Sequence, residues 1–222
     1  MVNNITAAAI TEDEKLELNK KAKRALLWFG IISIVMLFAG LTSAYMVRQG
    51  EGKWVQFALP QLFIVSTIII LASSVTMQWA VISIRKNDVS KLKTAVLLTF
   101  LLGIGFVIFQ YLAWGDLVSQ GIYFVGTVKD ITSDFTYIPA GNETVAQAAD
   151  IGNVAASFLY VITGLHVAHL IGGILALSVV LVKSLRGKYS SSNYNGVVVC
   201  SIYWHFLDAL WIYLFFFLMY IR

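Results

Sequence analysis

The chain has 222 residues, of which 59% are hydrophobic and only 13% charged, with a mean hydropathy of +0.78. Soluble domains carry about 25% charged residues, so this composition excludes a water-soluble globular protein and leaves room for one membrane bundle and one modest loop. The net charge of +4 sits in short basic clusters beside apolar stretches, with no basic–aromatic stripe, which excludes a nucleic-acid partner. Residues 1–24 are polar and mixed in charge, with no apolar core followed by a small-residue cleavage site. Residues 11–24 read as a short amphipathic helix, with Thr11 and Glu14 as a capping box. Five stretches then reach the roughly 20 residues needed to cross about 30 Å of hydrocarbon. They run 25–47, 54–84 (with Pro60 in its first turn), 94–114, 151–182 and 197–221. The expectation is an all-α, polytopic bundle of five transmembrane helices over 25–222, preceded by the segment 1–24 and carrying one long loop at 115–150.

Basic residues orient such a bundle. Twelve of them (Lys15, Lys20, Lys21, Lys23, Arg24, Arg85, Lys86, Lys91, Lys93, Lys183, Arg186 and Lys188) fall on one side. The other side holds Arg48, Lys53, Lys129 and Arg222. This places the N-terminus in the cytoplasm and the C-terminus outside. The loop at 115–150 carries Asp116, Asp130, Asp134, Glu143 and Asp150 against the single Lys129. It reads as a solvated connector or as a face for a basic partner.

Asp208 is the one acidic residue inside the long apolar stretches. A carboxylate at the middle of a bilayer costs roughly 2.5–3.5 kcal/mol on insertion scales, so it should face protein. His205 lies three residues before it, and His166 and His169 stand three apart in the fourth stretch at similar depth. The four side chains suggest a hydrogen-bonded network between the fourth and fifth spans. Three readings of it are open: a structural polar clamp, a proton relay or ion path, and a metal site. The lone Cys200 excludes an internal disulfide and a thiolate cluster, and reads as a small buried side chain.

Gly164, Ala168, Gly172 and Ala176 form a small-residue stripe, echoed by Gly40 and Ala44 and by Gly103 and Gly105. Such stripes let helices approach closely. Trp28, Trp54, Trp79, Trp114, Tyr111 and Tyr220 sit near span ends, as an interfacial belt does. Arg48, Lys53, Trp54, Trp204 and Trp211 are candidates for lipid or interface contact. No serine-nucleophile elbow, zinc-protease helix, phosphate loop or dinucleotide fingerprint is present.

The residues match a known family. Thr163-Gly164-Leu165-His166-Val167-Ala168-His169-Leu170-Ile171-Gly172 resembles the TGxHxxHxxxG signature of subunit III of heme-copper oxidases, which oxidise cytochrome c or quinol. Tyr203-Trp204-His205-Phe206-Leu207-Asp208-Ala209-Leu210-Trp211 resembles that family's YWHFxDxxW signature. Residues 66–77 are similar to its TxxLLxSSxT pattern, and 41–45 to an LFSAY segment. Two family acids are missing. Ile34 stands where an SEVMxF-like run has glutamate, and Ala113 where QxxE[WY] has glutamate.

The resemblance implies the short five-helix bacterial form, in the bacterial inner membrane. It implies a non-catalytic subunit of a proton-pumping respiratory oxidase that reduces oxygen to water. This chain would carry no cofactor, and the heme and copper would lie in partner subunits. Subunits I and II, membrane phospholipids and a larger respiratory supercomplex are the implied partners, with roles in stabilising the catalytic subunit, proton uptake and oxygen access. His166, His169, His205 and Asp208 would be a structural polar core. The alternatives are a subunit-III-like accessory protein of a nitric-oxide reductase and, more remotely, a stand-alone ion transporter.

Overall fold

The computed structural model describes residues 12–191 and 193–221; Thr11, and with it the proposed capping box, and Arg222 lie outside them. Five helices in it are long and apolar enough to cross a membrane. The first, α1 (Glu12–Gly50), is continuous, so the expected amphipathic segment and the first span are one helix. Its sequence explains this: Lys, Ala, Arg and Leu through the junction all favour helix, and no proline interrupts them.

The expected second span is instead two elements. Trp54–Phe57 forms a strand, β1, and the helix α2 (Leu62–Arg85) starts only afterwards. Pro60 is the cause. It disfavours helical geometry at Leu59, and it stands outside the helix, its carbonyl accepting from the Phe63 amide at 3.1 Å. Helix α3 (Val89–Ser119) extends beyond the expected span at both ends. Its first turn is capped by Asp88, whose Oδ1 accepts from the Lys91 amide at 3.1 Å.

The loop that follows is folded. It contains a 3₁₀ turn (Val128–Asp130), a strand β2 (Phe135–Ile138) and one helical turn, α4 (Val145–Ala148). Strand β2 pairs antiparallel with β1, Trp54 opposite Ile138 and Phe57 opposite Phe135. The pairing ties the loop back to the end of α1. Lys53 and Glu143 (3.2 Å) and Lys129 and Asp150 (2.7 Å) form exposed ion pairs within this cap. Such pairs are worth little by themselves, so the loop's acids are partly neutralised internally rather than massed against a partner.

Gly121 is fixed by geometry. Its φ is +78°, and a Cβ there would meet the Asp130 carbonyl oxygen at 2.0 Å. Asp130 closes the same turn by accepting from the Thr127 amide and hydroxyl at 2.7 and 2.8 Å. These bonds hold its carboxyl below the ordinary carboxylate range.

Helices α5 (Val154–Leu185) and α6 (Asn195–Tyr220) complete the bundle. Asn153 caps α5 by accepting from the Ala156 amide at 3.1 Å. Helices α2, α3, α5 and α6 share the core, α2 and α3 packing most extensively, while α1 leans chiefly on α6 and α5.

The close approach in this core is made by glycines on two helices. The Trp204 indole fills the space that a Cβ on Gly103 would need (2.7 Å), and Leu207 presses on the corresponding space at Gly173 (3.1 Å). The small-residue stripe expected to pack is displaced by one position. Ala168, Gly172 and Ala176 are exposed, and a Cβ on Gly164 would meet nothing within 4 Å. One residue turns a helix by about 100°, which is enough to swing Gly172 outward and Gly173 inward.

Gly103→Ala is expected to cost about 1–3 kcal/mol by overpacking against Trp204. Gly105→Ala meets only Ile69, at 3.8 Å, and should stay near neutral. Thermal unfolding of the two purified variants checks this. The Asp130 contribution runs with pH in a set direction. Its folded pKa is depressed, so its stabilisation is present above the ordinary carboxylate range and lost as pH falls through it. Amide exchange at Thr127, corrected for intrinsic rate, should therefore rise on acidification, and Asp130→Asn should remove that step.

Candidate functional site

The side chains singled out by chemistry lie on α5 and α6, and three α2 hydroxyls define the setting of α6. Trp204 and Trp211 stand two turns apart on one face of α6 and are both fully buried. Their indole N–H groups donate to Ser73 and Thr67 of α2, each at 3.0 Å. Beside the first of these bonds, His205 Nδ1 pairs with the Ser74 hydroxyl at 2.7 Å. Trp204 and His205 meet Ser73 and Ser74 while Trp211 meets Thr67, so the helices run antiparallel and are stitched at two levels. Interhelical hydrogen bonds in membranes average about 0.6 kcal/mol each. Their larger effect is to avoid an unpaired buried donor, which costs roughly 1–3 kcal/mol.

The expected four-residue network does not form. His166 is fully buried, and neither of its ring nitrogens has a hydrogen-bond partner. It is enclosed by Trp211 (5.0 Å between ring centroids) and Phe106 (5.9 Å). His169 turns the other way. Its Nδ1 bonds the Leu165 carbonyl of its own helix at 2.7 Å, and its ring meets Phe38 of α1 edge-on. The Asp208 carboxylate is 2% exposed and neither oxygen accepts a well-aligned hydrogen bond. The Ser74 hydroxyl stands near it but turns to His205.

The two histidines of α5 thus face α3/α6 and α1, and the pair on α6 faces α2. Residues three apart share a broad helix face, but their side chains differ by about 60° in direction, enough to reach different neighbours. Among the described residues no group of three His, Cys, Asp or Glu side chains converges as a metal site.

The candidate lipid contacts divide. Arg48 and Lys53 are exposed and engaged by Glu51 and Glu143. Trp54 is 1% exposed, packed edge-on against Tyr45 at 4.7 Å, so it belongs to the protein interior rather than to the interfacial belt. Trp204 and Trp211 are likewise enclosed by protein and touch no lipid. Trp28, Trp79, Tyr111 and Tyr220 are exposed, although Trp28 lies well inside the continuous α1 rather than at a helix end.

Several partners went unread in the sequence. Thr67, Ser73 and Ser74 receive α6. Trp114 donates to Thr163 at 3.1 Å, joining α3 to α5. Tyr213 donates to Thr42 at 3.2 Å, joining α6 to α1. Gln110 is fully buried in α3, with both amide atoms unpaired. The signal for all of these was a lone hydroxyl or amide inside an apolar helix, where water is absent and a partner is required.

Residues 130–222, which hold α5 and α6, match the protein family described as Cytochrome c oxidase subunit III. The "Cytochrome c oxidase subunit 3" of Corynebacterium diphtheriae is 31% identical, over 82% of this chain and 79% of its own. That of Thermostichus vulcanus is 30% identical, over 83% of this chain and 80% of its own. The "Probable cytochrome c oxidase subunit 3" of Mycobacterium tuberculosis (strain H37Rv) is 30% identical, over 86% of this chain and 83% of its own. The chain belongs to the cytochrome c oxidase subunit III family.

In this subunit III the two positions that lack the expected acids lie inside the bundle. Ile34 is 9% exposed and Ala113 fully buried, so apolar packing replaces charge at both. Among the described residues, Asp208 is left as the buried acid of the helical core.

Ser73→Ala strands the Trp204 indole N–H and is expected to lower stability by roughly 1–3 kcal/mol. With Trp204→Phe in place the same change should cost much less, because no donor is stranded. A double-mutant cycle on thermal stability measures the coupling.

Proposed function

We propose that this subunit III serves its oxidase by packing and not by redox chemistry. As a multi-pass member of that family it is part of a heme-copper oxidase complex. The observation that carries the reading is what becomes of its histidines. His166 is boxed by aromatic rings, His169 is bonded to its own backbone and His205 is held by Ser74. None of these arrangements presents an imidazole pair to a heme or a convergent ligand set to copper. Heme and copper belong, on this reading, to partner subunits, with subunit I packed against this bundle and subunit II beside it.

Twelve basic residues at one end of the spans support an N-terminus in the cytoplasm of a bacterium, with the acidic cap and C-terminus outside its inner membrane. Phospholipids would cover the exposed apolar faces. Support for proton uptake and oxygen access would follow indirectly, by keeping subunit I in its working geometry. The relatives compared carry oxidase names, so a nitric-oxide reductase accessory is not favoured.

A mild-detergent pull-down of the tagged chain is expected to bring down a heme-bearing complex that consumes oxygen and contains a large histidine-rich partner. A colourless chain that purifies alone and carries pH-dependent ion flux in liposomes would contradict the reading and favour the transporter.

A further inference from the structure

Tyr123, Phe124 and Val125, in the loop after α3, are consecutive large apolar side chains, 42%, 52% and 82% exposed. No charged residue stands between Asp116 and Lys129, so this stretch has nothing that favours water. Hydrogen bonds fix its depth. Helix α3 ends at a left-handed glycine, Gly121, where the chain reverses. The Gly121 amide donates to the Val118 carbonyl and the Ile122 amide to the Leu117 carbonyl, each at 3.0 Å. The reversal carries the chain back alongside the bundle. There Tyr160 of α5 donates to the Ile122 carbonyl at 2.8 Å and Ser157 to the Phe124 carbonyl at 2.7 Å. The Phe124 ring meets Tyr160 edge-on at 6.2 Å, and Tyr160 in turn lies against Trp114 of α3 at 6.3 Å. The loop is therefore held within about one helical turn of the level of Trp114. Lys93 is the last charge before the apolar run of α3, and about 20 helical residues cross the hydrocarbon, which puts its far edge close to Trp114.

We propose that Tyr123, Phe124 and Val125 anchor the cap in the membrane, their side chains inserted where the lipid headgroups of that leaflet meet the acyl chains. Three properties of the loop suit lipid. Aromatic rings followed by an aliphatic side chain, at this depth, match the composition of a membrane–water interface. The backbone carbonyls of Ile122, Phe124 and Gly126 are already paired inside the protein, the last with the Asn153 amide at 2.9 Å, as a non-helical segment beside hydrocarbon requires. The patch also adjoins the apolar surface of a span: Val118, whose carbonyl receives Gly121, and Tyr111 two turns before it are both exposed on α3. The ion-paired part of the cap, with Lys53 and Glu143, is left to water. The loop thus divides into an aqueous end and a lipid-facing end, and the second sets the depth at which α3 and α5 leave the bilayer. The anchor is independent of where heme and copper lie.

Photo-crosslinking tests it, on the chain with its co-purifying subunits in discs of phosphatidylethanolamine and phosphatidylglycerol. Val125→p-benzoylphenylalanine places there a ketone that, when excited, couples to C–H bonds within reach and not to water. The Val125 side chain is mostly exposed, so the change leaves the packing intact. Phe124→p-benzoylphenylalanine keeps an aromatic ring and gives a second, independent site. Both are expected to form phospholipid adducts, read by mass spectrometry, several-fold more often than the same group at Asn142, an exposed position next to the Lys53–Glu143 pair. Lipid adducts no more frequent than at Asn142 would mean a solvated loop and overturn the proposal. Crosslinks chiefly to another subunit would overturn it too, since protein and not lipid would then cover the patch.

Discussion

The structure depends on the Trp204 indole. Its ring fills the space kept open by Gly103 on α3 and packs beside Gly173 on α5, while its N–H reaches Ser73 on α2. One side chain thus sets the distance of three helices from α6. In a bilayer core the driving force is not exclusion from water, since lipid is as apolar as leucine. It is close packing plus the need to pair every polar group. Glycine permits the approach, the large ring fills it, and the serine prevents a stranded donor. Trp211 repeats the arrangement two turns along, with Thr67 as acceptor and Phe63 stacked at 6.1 Å.

From that constraint the rest of the molecule is arranged by what remains to be satisfied. The α1 helix is held more lightly, through Tyr213 and Thr42, Phe38 and His169, and the aromatic group of Tyr45, Trp54 and Phe217. The loop between α3 and α5 is pinned where Tyr160 donates to the Ile122 carbonyl at 2.8 Å and Ser157 to the Phe124 carbonyl at 2.7 Å. It is completed by the β1/β2 pair. The cap is therefore an extension of the bundle, resting on the first turns of α5.

The five spans were legible because length and apolarity are local properties, and because no charge interrupts 94–114 or 197–207. The burial of Asp208 was legible from the cost of exposing a carboxylate to lipid. The sheet was not. Trp54 to Phe57 is apolar except for Gln56 and adjoins an apolar helix, and its strand partner lies some eighty residues away with no hairpin signal. The polar cluster was misread for a related reason. Spacing places His166 with His169 and His205 with Asp208 on common faces, but which neighbour each face meets is set by helix rotation, and that depends on where Trp204 finds its glycines. The hydroxyls of α2 looked like ordinary small residues until α6 was laid against them.

The proposal that this chain contributes packing and no redox centre is open to direct measurement. Heme and copper should be quantified in the purified complex, and again in the isolated chain and in the remaining subunits after mild dissociation. All heme and copper are expected to stay with the remaining subunits. Stoichiometric heme or copper on the isolated chain would contradict it.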